Sequence, residues 1–399
     1  MDLFLQFGHG MMAHTEALLG DWGGGSVVLS PRDLDEEQLQ RMGSKVAKKA
    51  GSSLVDPQCY VRDADHTRLV EHDYWKVYAS HTTGAFLGGP GTTDLLSALA
   101  ALNAKVGTQT AILPGLLADV VDDDWFAFQR HVIDESASHF PSHQRLMTIA
   151  LSSDAVRSED QIEAVVERSE DWDVDGFYVV PETPGAYLVD DPTWLSNVLL
   201  LTAGLKLQGR TVVLGYANHQ LLSAAATGVD AICSGTWMNV RAFSPAKFMK
   251  PDGSIKRKAV WYYAPNALSE FKVPFLDIAH RQGVLDVVRP PAGFPTGPSN
   301  PLFSGVQPGS VGWGERPSFR HYLSTLRHQA HLARAGGFDA ALGHQEASLD
   351  EAESALESLH DAGVRGQNRD FADFIDVNRA ALAVLKSSRG ALLRRRWPH

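Results

Sequence analysis

The sequence predicts an α/β protein: a closed (β/α)8 TIM barrel followed by a C-terminal helical subdomain. Eight short apolar runs between residues 4 and 235 are typical of buried parallel strands, and amphipathic segments with helical spacing separate them. This regular alternation indicates a parallel sheet covered by helices. A doubly wound open sheet would give the same local pattern, and the count of eight strands favours the barrel.

The predicted strands follow the apolar runs in chain order. They are residues 4–8, 26–30, 53–57, 110–115, 146–152, 176–181, 211–217 and 230–235. Several helices between them begin after a residue whose side chain can accept hydrogen bonds from the first free backbone amides. The predicted caps are Asp35, Ser158 and Asp191, the last of which is followed by a proline suited to the first helical turn.

Composition changes after the last predicted strand and divides the chain into three predicted parts. Residues 1–245 form the catalytic barrel domain, and residues 246–317 form a loop region that is first basic and aromatic, then rich in proline and glycine. Residues 318–399 form the helical subdomain, because helical periodicity returns there. Its predicted helices are residues 318–335, 348–363 and 369–388.

Composition also argues against several classes of protein. The chain has 399 residues and a formal net charge of −11, which does not suit a protein that coats nucleic acid through bulk electrostatics. Its two cysteines, Cys59 and Cys233, are too far apart for a CxxC site and fit a reducing cytoplasm. We find no signal-peptide pattern and no membrane-spanning stretch, so we expect a cytoplasmic protein. We predict neither a metal nor a cofactor, because no matching spacing or fingerprint occurs.

One basic cluster lies beside aromatic residues. Lys256, Arg257 and Lys258 precede the aromatic run at residues 261–263. Basic and stacking side chains together suit a flexible polynucleotide, so we predict that this cluster binds nucleic acid. A solvated surface cluster is the alternative interpretation.

Polar residues follow the predicted strands, at the end of a barrel where active sites form. The segment 54–60 ends a strand at Asp56, and Pro57 keeps that aspartate extended rather than helical. Carboxylates there can do acid–base work once burial tunes their pKa, and neutral polar groups can bind an uncharged planar ligand. An aspartate before proline is also ordinary turn chemistry, and a histidine can be satisfied in a loop. The candidates are Asp56, Glu182, Gln58, Tyr60, Ser153, Asn218 and His219.

The order of these strand ends resembles the tRNA-guanine transglycosylase superfamily. LVDPQCY (54–60) stands where that family has a D-S-G-G-F-Q segment, which places Asp56 on the family's aspartate. LMTIALSSD (146–154) stands where it has I-V-Q-G-G, and GFYVVPETPG (176–185) resembles G-Y-A-I-G-G-L-A-V-G-E. Residues 211–235 resemble its strand, helix and G-V-D-M-F-D-C segment, with GVD shared at 228–230. The similarity is collinear from about residue 26 to 240.

The chain departs from this family at functional positions. The family's covalent aspartate falls three residues after the GVD aspartate, where this chain has Cys233. No cysteine follows it to form the family's zinc site, and the guanine-reading aspartate has no clear counterpart in residues 111–119. The resemblance therefore implies a barrel that opens an N-glycosidic bond in a nucleic acid, and carries over neither tRNA nor guanine as its target.

Retention of Asp56 without the covalent residue favours hydrolysis over base exchange. We therefore predict a nucleic-acid N-glycosylase. DNA is a more fitting target than tRNA, because DNA-acting relatives of the family occur in base-modification and anti-phage systems. Asp56 would be the catalytic carboxylate, as base, charge stabiliser or nucleophile, and Glu182 would protonate the departing base. The residues expected to hold a base flipped out of its stack are Gln58, Tyr60, Ser153, Asn218 and His219.

Three alternatives stay open on sequence grounds. The first retains the family's exchange chemistry and inserts a deazapurine into DNA or tRNA, with another carboxylate as the nucleophile. The second is a non-catalytic barrel that binds nucleic acid as a partner subunit. The third is a small-molecule TIM-barrel enzyme unrelated to nucleic acid. The sequence does not identify the base, the strand state of the nucleic acid or the oligomeric state.

Overall fold

Eight parallel strands form a nearly closed barrel, helices connect them, and a C-terminal helical region packs on the outside. This architecture is that of a computed structural model, which describes residues 1–80, 90–185, 187–250 and 259–397. The predicted fold class, a TIM-like barrel with C-terminal helices, is confirmed. None of the helices in these ranges is long and apolar enough to cross a membrane.

Each of the eight predicted strands overlaps an observed barrel strand. A ninth, two-residue strand (β5) was not predicted, and it pairs beside the end of β6. The strands are β1 (Asp2–Gln6), β2 (Gly25–Leu29), β3 (Gly51–Val55), β4 (Thr110–Leu113), β5 (Leu117–Ala118), β6 (Gln144–Leu151), β7 (Gly176–Pro181), β8 (Thr211–Leu214) and β9 (Ala231–Ser234).

The barrel has one joint without a strand ladder. Hydrogen-bonded neighbours follow the order β3, β2, β1, β9, β8, β7, β6, β4, and every pair is parallel. The remaining neighbours, β3 and β4, are adjacent, but in the described ranges no ladder joins them. Beyond the ends of β3 and β4, the amide of Leu117, in β5, donates to the Tyr60 carbonyl oxygen at 3.1 Å. We call the β3–β4 joint the barrel seam.

Helices pack around the strands and begin largely where capping residues predicted them. Asp35, Ser158 and Asp191 each accept a hydrogen bond from a backbone amide in the first turn of the following helix, as predicted. A 3₁₀ helix, His219–Thr227, follows β8. The α-helices of the barrel are α1 (Met12–Trp22), α2 (Glu36–Lys48), α3 (Asp73–Ser80), α4 (Pro90–Val106), α5 (Asp123–His139), α6 (Ser153–Arg157), α7 (Glu159–Arg168) and α8 (Pro192–Leu207).

The region predicted as a loop, residues 246–317, contains regular structure that the sequence did not reveal. Strands β10 (Trp261–Ala264) and β11 (Ser269–Lys272) form an antiparallel hairpin, and α9 (Val273–Arg281) follows it. Strands of four residues are too short to show the alternation from which strands are predicted. From residue 289 to 314 the chain is irregular apart from short 3₁₀ turns, as predicted.

The three predicted C-terminal helices correspond to α10 (Glu315–Leu332), α11 (Phe338–Asp361) and α12 (Ile375–Ser388), and a short α13 (Gly390–Arg395) follows. Helix α11 begins ahead of its predicted start at residue 348, because buried side chains at helical spacing continue back to Phe338. Helix α12 packs on α8, which is why nearly the whole of α8 is apolar and buried.

Two helical glycines give a matched test of the packing between α2 and α4. A Cβ atom at Gly43 would lie 2.3 Å from the Val106 carbonyl oxygen, whereas one at Gly20 would have the Lys49 Nζ, at 3.5 Å, as its nearest contact. We expect Gly43→Ala to lower the free energy of unfolding by about 1–3 kcal/mol, because the helices must separate. Gly20→Ala should raise it by up to about 1 kcal/mol through helix propensity. Urea unfolding measures both, and equal effects would contradict the close α2–α4 contact.

Candidate active site

Asp56 lies at the carboxyl end of β3, inside the mouth of the barrel. Its amide donates to the Leu29 carbonyl oxygen at 3.0 Å, which extends the β2–β3 ladder by one residue before Pro57 turns the chain. The side chain has no exposed surface. A carboxylate in such a position has exchanged water for protein hydrogen bonds, so its donors decide its chemistry.

Phenol hydroxyls surround the Asp56 carboxylate. The Tyr60 hydroxyl lies 2.8 and 2.9 Å from the two carboxylate oxygens, and the Tyr216 hydroxyl donates to Oδ2 at 2.9 Å. The Tyr178 hydroxyl is farther from Oδ2, at 3.5 Å, and donates to the Gln6 side-chain oxygen at 3.0 Å. Burial raises the pKa of all three tyrosines well above the usual range, so they remain neutral donors.

The balance of burial and hydrogen bonding brings Asp56 close to neutrality. The pKa of Asp56 is raised from 3.8 to about 6: burial raises it, and the hydrogen bonds from Tyr60, Tyr216 and the Gln58 amide, together with the charge of Arg32, offset part of that rise. A carboxyl group with a pKa of about 6 is present in both protonation states near pH 6–7, which suits acid–base chemistry.

Two residues around Asp56 have strained backbones. Gln58 and Tyr216 have φ values of 57° and 55°, in the left-handed region that non-glycine residues rarely adopt. The Gln58 side chain donates to the Tyr216 hydroxyl at 3.2 Å and the Ser30 hydroxyl at 2.9 Å, and it accepts from the Arg32 amide at 2.9 Å. This network ties the ends of β2, β3 and β8 together around one carboxylate. Such strain is concentrated at functional sites in proteins.

Aromatic side chains pack around Tyr60, which donates to Asp56. The Tyr60 ring contacts Phe243 and Phe248 edge-on, at centroid distances of 4.9 and 5.4 Å. The guanidinium of Arg32 lies 5.0 Å from the centre of the Phe248 ring. Phe248 ends a 3₁₀ turn, Pro245–Phe248. We call residues 243–248 the aromatic cover, because Phe243 and Phe248 pack on Tyr60 and the segment between them contributes to the cleft described next.

A cleft of about 930 Å³ borders the aromatic cover through Ala246 and Lys247. It is formed by the segments that follow β1, β2 and β3 and by the end of the aromatic cover. Among the described residues that line it, Asp33 is the only acid, and this aspartate pairs with the buried Arg32 at 3.0 Å. We call it the basic cleft, after its lining residues His9, Arg32, His66, Arg68, Lys247 and Lys250.

Arg32 connects the basic cleft to Asp56. Its side chain is only 2% exposed, and its Nη1 atom is buried without a hydrogen-bond partner among the described residues. The guanidinium charge lowers the pKa of Asp56, so the two groups sense one another's charge. A charged group brought to this part of the cleft would therefore affect the Asp56 carboxylate directly.

Of the other predicted site residues, the structure brings only Gln58 and Tyr60 into contact with Asp56. Ser153 and Glu182 meet each other instead: the Glu182 Oε2 atom accepts from the Ser153 amide at 2.9 Å, at the start of α6. The Glu182 carboxylate thus caps a short helix, and no hydrogen bond or ion pair in the described ranges links it to Asp56.

Asn218 and His219 lie after β8 but face away from Asp56. Asn218 caps the 3₁₀ helix through the Gln220 amide at 2.8 Å and donates to the Tyr187 carbonyl oxygen at 2.7 Å. His219 is buried against the rings of Tyr263 and other aromatic residues. The predicted nucleic-acid-binding residues Lys256, Arg257 and Lys258 lie outside the described residues.

Cys233, at the position where the transglycosylase resemblance would have a nucleophile, lies in β9 with no exposed surface. Burial and the nearby charge of Asp56 raise the pKa of this thiol well above its usual range. The thiol is therefore neutral and inaccessible. The described residues contain no cluster of three or more histidine, cysteine, aspartate or glutamate side chains that could hold a metal ion.

Sequence reasoning missed Tyr178 and Tyr216 as partners of Asp56. Tyr178 lies within β7, where its neighbours are apolar, so the sequence pattern indicates an ordinary core residue. Tyr216 lies two residues after the end of β8 and two residues before Asn218, so its place near a strand end was a signal that the sequence did offer. Both tyrosines are more than a hundred residues from Asp56 along the chain, and only the closed barrel brings them together.

Comparison with known proteins adds little at the level of function. No protein-family model and no curated protein matches the sequence. Among solved structures, the chain is similar to the carboxyl transferase domain of Rhizobium etli pyruvate carboxylase, with pyruvate and with 3-bromopyruvate. Both comparisons give 11% sequence identity and a TM-score of 0.36, and they cover 97% of this chain. The chain spans 61% and 60% of the length of those structures. Nothing about reaction or ligands follows from a similarity of this degree.

The raised pKa of Asp56 predicts a pH-dependent stability. The folded chain retains the Asp56 proton at pH values where the unfolded chain has lost it, so this contribution to stability is largest below pH 3.8 and is lost as the pH rises through about 6. The unfolding free energy of Asp56→Asn minus that of wild type should therefore rise by about 2–3 kcal/mol as the pH increases from about 4 to about 7.

Urea unfolding across this pH range measures the difference between variant and wild type. Tyr216→Phe serves as the matched variant: it removes a hydrogen bond that favours the ionised carboxylate, so the loss of stability should shift to higher pH. If Asp56→Asn and wild type ran parallel from pH 4 to pH 7, Asp56 would not titrate in this range.

Proposed function

We propose that this chain is an enzyme that cleaves N-glycosidic bonds in nucleic acid, with DNA as its substrate and Asp56 as its catalytic carboxylate. The observation that carries the proposal is the position of this carboxylate. It lies at a barrel strand end, has a pKa of about 6, and senses the charge of Arg32, one of the cations that line the basic cleft. The resemblance of its segment to the transglycosylases supplies the reaction class.

The chemistry of bond cleavage fits a carboxylate in this environment. When the C–N bond breaks, its electron pair leaves with the base and positive charge builds on the sugar. The ionised Asp56 can stabilise that charge at short range, because water does not screen it. A water molecule then bonds to the anomeric carbon, and Asp56 accepts the proton it releases. Glu182 stays the proposed donor of a proton to the departing base, a step that would break its hydrogen bond with the Ser153 amide.

The basic cleft supports a substrate with phosphates. The chain carries a net charge of −11, yet Arg32, Arg68, Lys247 and Lys250 converge on this one surface. Cations gathered in a concave site attract a polyanion locally even when the whole protein repels it. The volume of about 930 Å³ exceeds that of a single base, so a nucleotide and part of its flanking strand fit.

Access to Asp56 requires the aromatic cover to move. In the described structure Asp56 has no exposed surface and does not line the basic cleft, and Tyr60, which donates to it, packs against Phe243 and Phe248. A base flipped out of its stack would replace these rings and stack on those that remain, which offsets part of the cost of displacing them. The proposal thus includes an open state in which Phe248 leaves Tyr60.

A second candidate is a barrel that binds nucleic acid without cleaving it. The complete burial of Asp56 and its saturation with phenol donors favour this alternative, because both would also serve a purely structural carboxylate. The basic cleft would then be the whole functional site. Base exchange differs from hydrolysis in its products, since exchange incorporates an added base into the polymer.

Mass spectrometry of released bases tests the proposal. Wild-type protein is incubated with modified and unmodified DNA and RNA, with and without added deazapurine. We expect base release from at least one DNA, and a loss of about 10²–10⁴-fold in Asp56→Asn. Asp119→Asn is the matched control, since it changes an exposed carboxylate after β5 and should retain activity. Release from no substrate would refute the glycosylase proposal, and unaltered release by Asp56→Asn would refute the role of Asp56.

Charge reversal tests the basic cleft separately. Lys247→Glu combined with Lys250→Glu should weaken binding of an oligonucleotide at least about tenfold and reduce the slope of log affinity against log salt by roughly 1–2. Lys48→Glu combined with Lys49→Glu makes the same change in net charge at the opposite end of the barrel, where α2 ends. This control should bind like wild type, and equal weakening of both double variants would remove the cleft from the proposal.

A further inference from the structure

A group of aromatic and basic side chains adjoins the basic cleft. Trp237 follows the end of β9 by three residues, and its indole N–H donates to the His9 carbonyl oxygen at 3.1 Å. His9 lines the basic cleft, and so does Asn239, two residues after Trp237. Trp237 therefore lies at the edge of the cleft without being part of its lining.

Phe319, in α10, joins this edge to α1. Its ring meets the ring of Trp237 edge-on at a centroid distance of 4.8 Å, and it meets the ring of His14 in the same way at 5.6 Å. All three residues are half-buried, so each retains some solvent-exposed surface. We call His14, Trp237, Arg316, Phe319 and Arg320 the Trp237 surface.

Two arginines give the Trp237 surface its charge. Arg316 and Arg320 lie three residues before and one residue after Phe319, so helical spacing places the three side chains on one side of α10. Burial lowers the pKa of His14, and the charges of Arg320 and Arg316 lower it further. The two guanidinium groups therefore lie on the same side of α10 as the rings of His14 and Phe319.

Ion pairs do not neutralise these two positive charges. In the described ranges neither Arg316 nor Arg320 pairs with a carboxylate, whereas Arg327 on the same helix pairs with Asp2 at 3.6 Å. The acid beside them, Glu315, lines a small pocket that also contains two arginines and a second glutamate, so its charge is balanced there. Positive charge thus continues from the basic cleft onto the Trp237 surface.

This combination suits an unpaired strand rather than a duplex. A single strand offers free base faces, which stack on aromatic rings, and phosphates, which pair with cations. A duplex keeps its base faces inside the stack, so it could use the arginines but not the rings. The basic cleft, at about 930 Å³, holds a nucleotide and only part of its flanking strand. The rest of that strand has to cross the edge of the cleft, and the edge at His9 leads to Trp237.

We infer that the Trp237 surface binds single-stranded DNA, namely the strand that flanks the nucleotide held in the basic cleft. One base stacks on Trp237 or Phe319, and Arg316 and Arg320 pair with phosphates of the same strand. The inference rests on the proposed function, because it takes a nucleic acid as the occupant of the cleft. It adds the strand state of the substrate and the direction in which the strand leaves the cleft.

The dependence of affinity on strand length tests this surface. Oligothymidylates of about 4 and about 16 nucleotides are titrated against the protein by fluorescence anisotropy. The longer strand should bind wild type at least about tenfold more tightly, because only the longer strand reaches from the cleft to the Trp237 surface. Arg316→Gln combined with Arg320→Gln should remove most of this gain and leave the shorter strand unaffected. For the longer strand it should also reduce the slope of log affinity against log salt by roughly 1–2.

The matched control is Lys48→Gln combined with Lys49→Gln. It makes the same change in net charge with two exposed lysines at the end of α2, so it should bind both strands like wild type. If the arginine double variant bound both strands like this control, or lost the same factor for both, the Trp237 surface would not bind the flanking strand.

Two variants of Trp237 test stacking and strand state. Trp237→Leu should weaken binding of the longer single strand at least about fivefold, because an aliphatic side chain does not stack with a base. Trp237→Phe retains a ring and should retain most of the affinity. A duplex of the same length should bind wild type more weakly than the single strand does, and Trp237→Leu should not change its affinity. If Trp237→Leu does not fold, Phe319→Leu makes the same test at the neighbouring ring.

The outcomes separate this inference from the proposed function. Base release by wild type, combined with a duplex that binds as tightly as the single strand, would overturn the inference and leave the glycosylase proposal. Length-dependent binding that requires Arg316 and Arg320, without base release from any substrate, would support the inference and refute cleavage. Binding of neither oligothymidylate would overturn the inference, and the assay of base release would still decide the proposed reaction.

Discussion

The mouth of this barrel is organised around one carboxylate that water cannot reach. Removing an ion of this kind from water costs several kcal/mol unless the protein replaces its hydration. Here the replacement comes from the hydroxyl groups of Tyr60 and Tyr216, at two different strand ends, and from the Gln58 amide. The strained backbones of Gln58 and Tyr216 persist because they hold two of these donors in place. Closure of the barrel and solvation of Asp56 are therefore coupled.

Arg32 extends this organisation to the surface. It is buried below the basic cleft, pairs with Asp33, and still acts on Asp56 through its charge. A phosphate near Arg32 would weaken the positive potential that Asp56 senses, so ligand binding and the protonation of Asp56 are linked in principle. Neither the net charge nor the sequence reveals this cluster of cations, because the chain is acidic as a whole and the cations of the cleft come from three separate segments.

The fold could be predicted well from the sequence, but the candidate site could be predicted only where its residues are neighbours along the chain. Buried parallel strands are continuous apolar runs, so all eight could be located, whereas the four-residue strands of the β10–β11 hairpin could not. Asp56, Gln58 and Tyr60 were found together because they share one strand end. Glu182 and His219 also follow strands, yet they face a helix terminus and the C-terminal helices. Position at a strand end fixes the height of a residue in the barrel, while the local backbone decides whether its side chain faces the axis.

The barrel seam has a mechanical consequence. In a closed ring of strands each member is held by ladders on both sides, so outward motion of any strand end breaks backbone hydrogen bonds. Within the described residues β3 has a ladder only to β2. Outward motion of its carboxyl end, which carries Asp56 and Tyr60, would break no ladder to β4 among the described residues. It would break the Leu117–Tyr60 backbone hydrogen bond and the side-chain hydrogen bond from Tyr216 to Asp56. In the described residues, the side chains around Asp56 therefore hold the end of β3 where a backbone ladder to β4 would otherwise hold it.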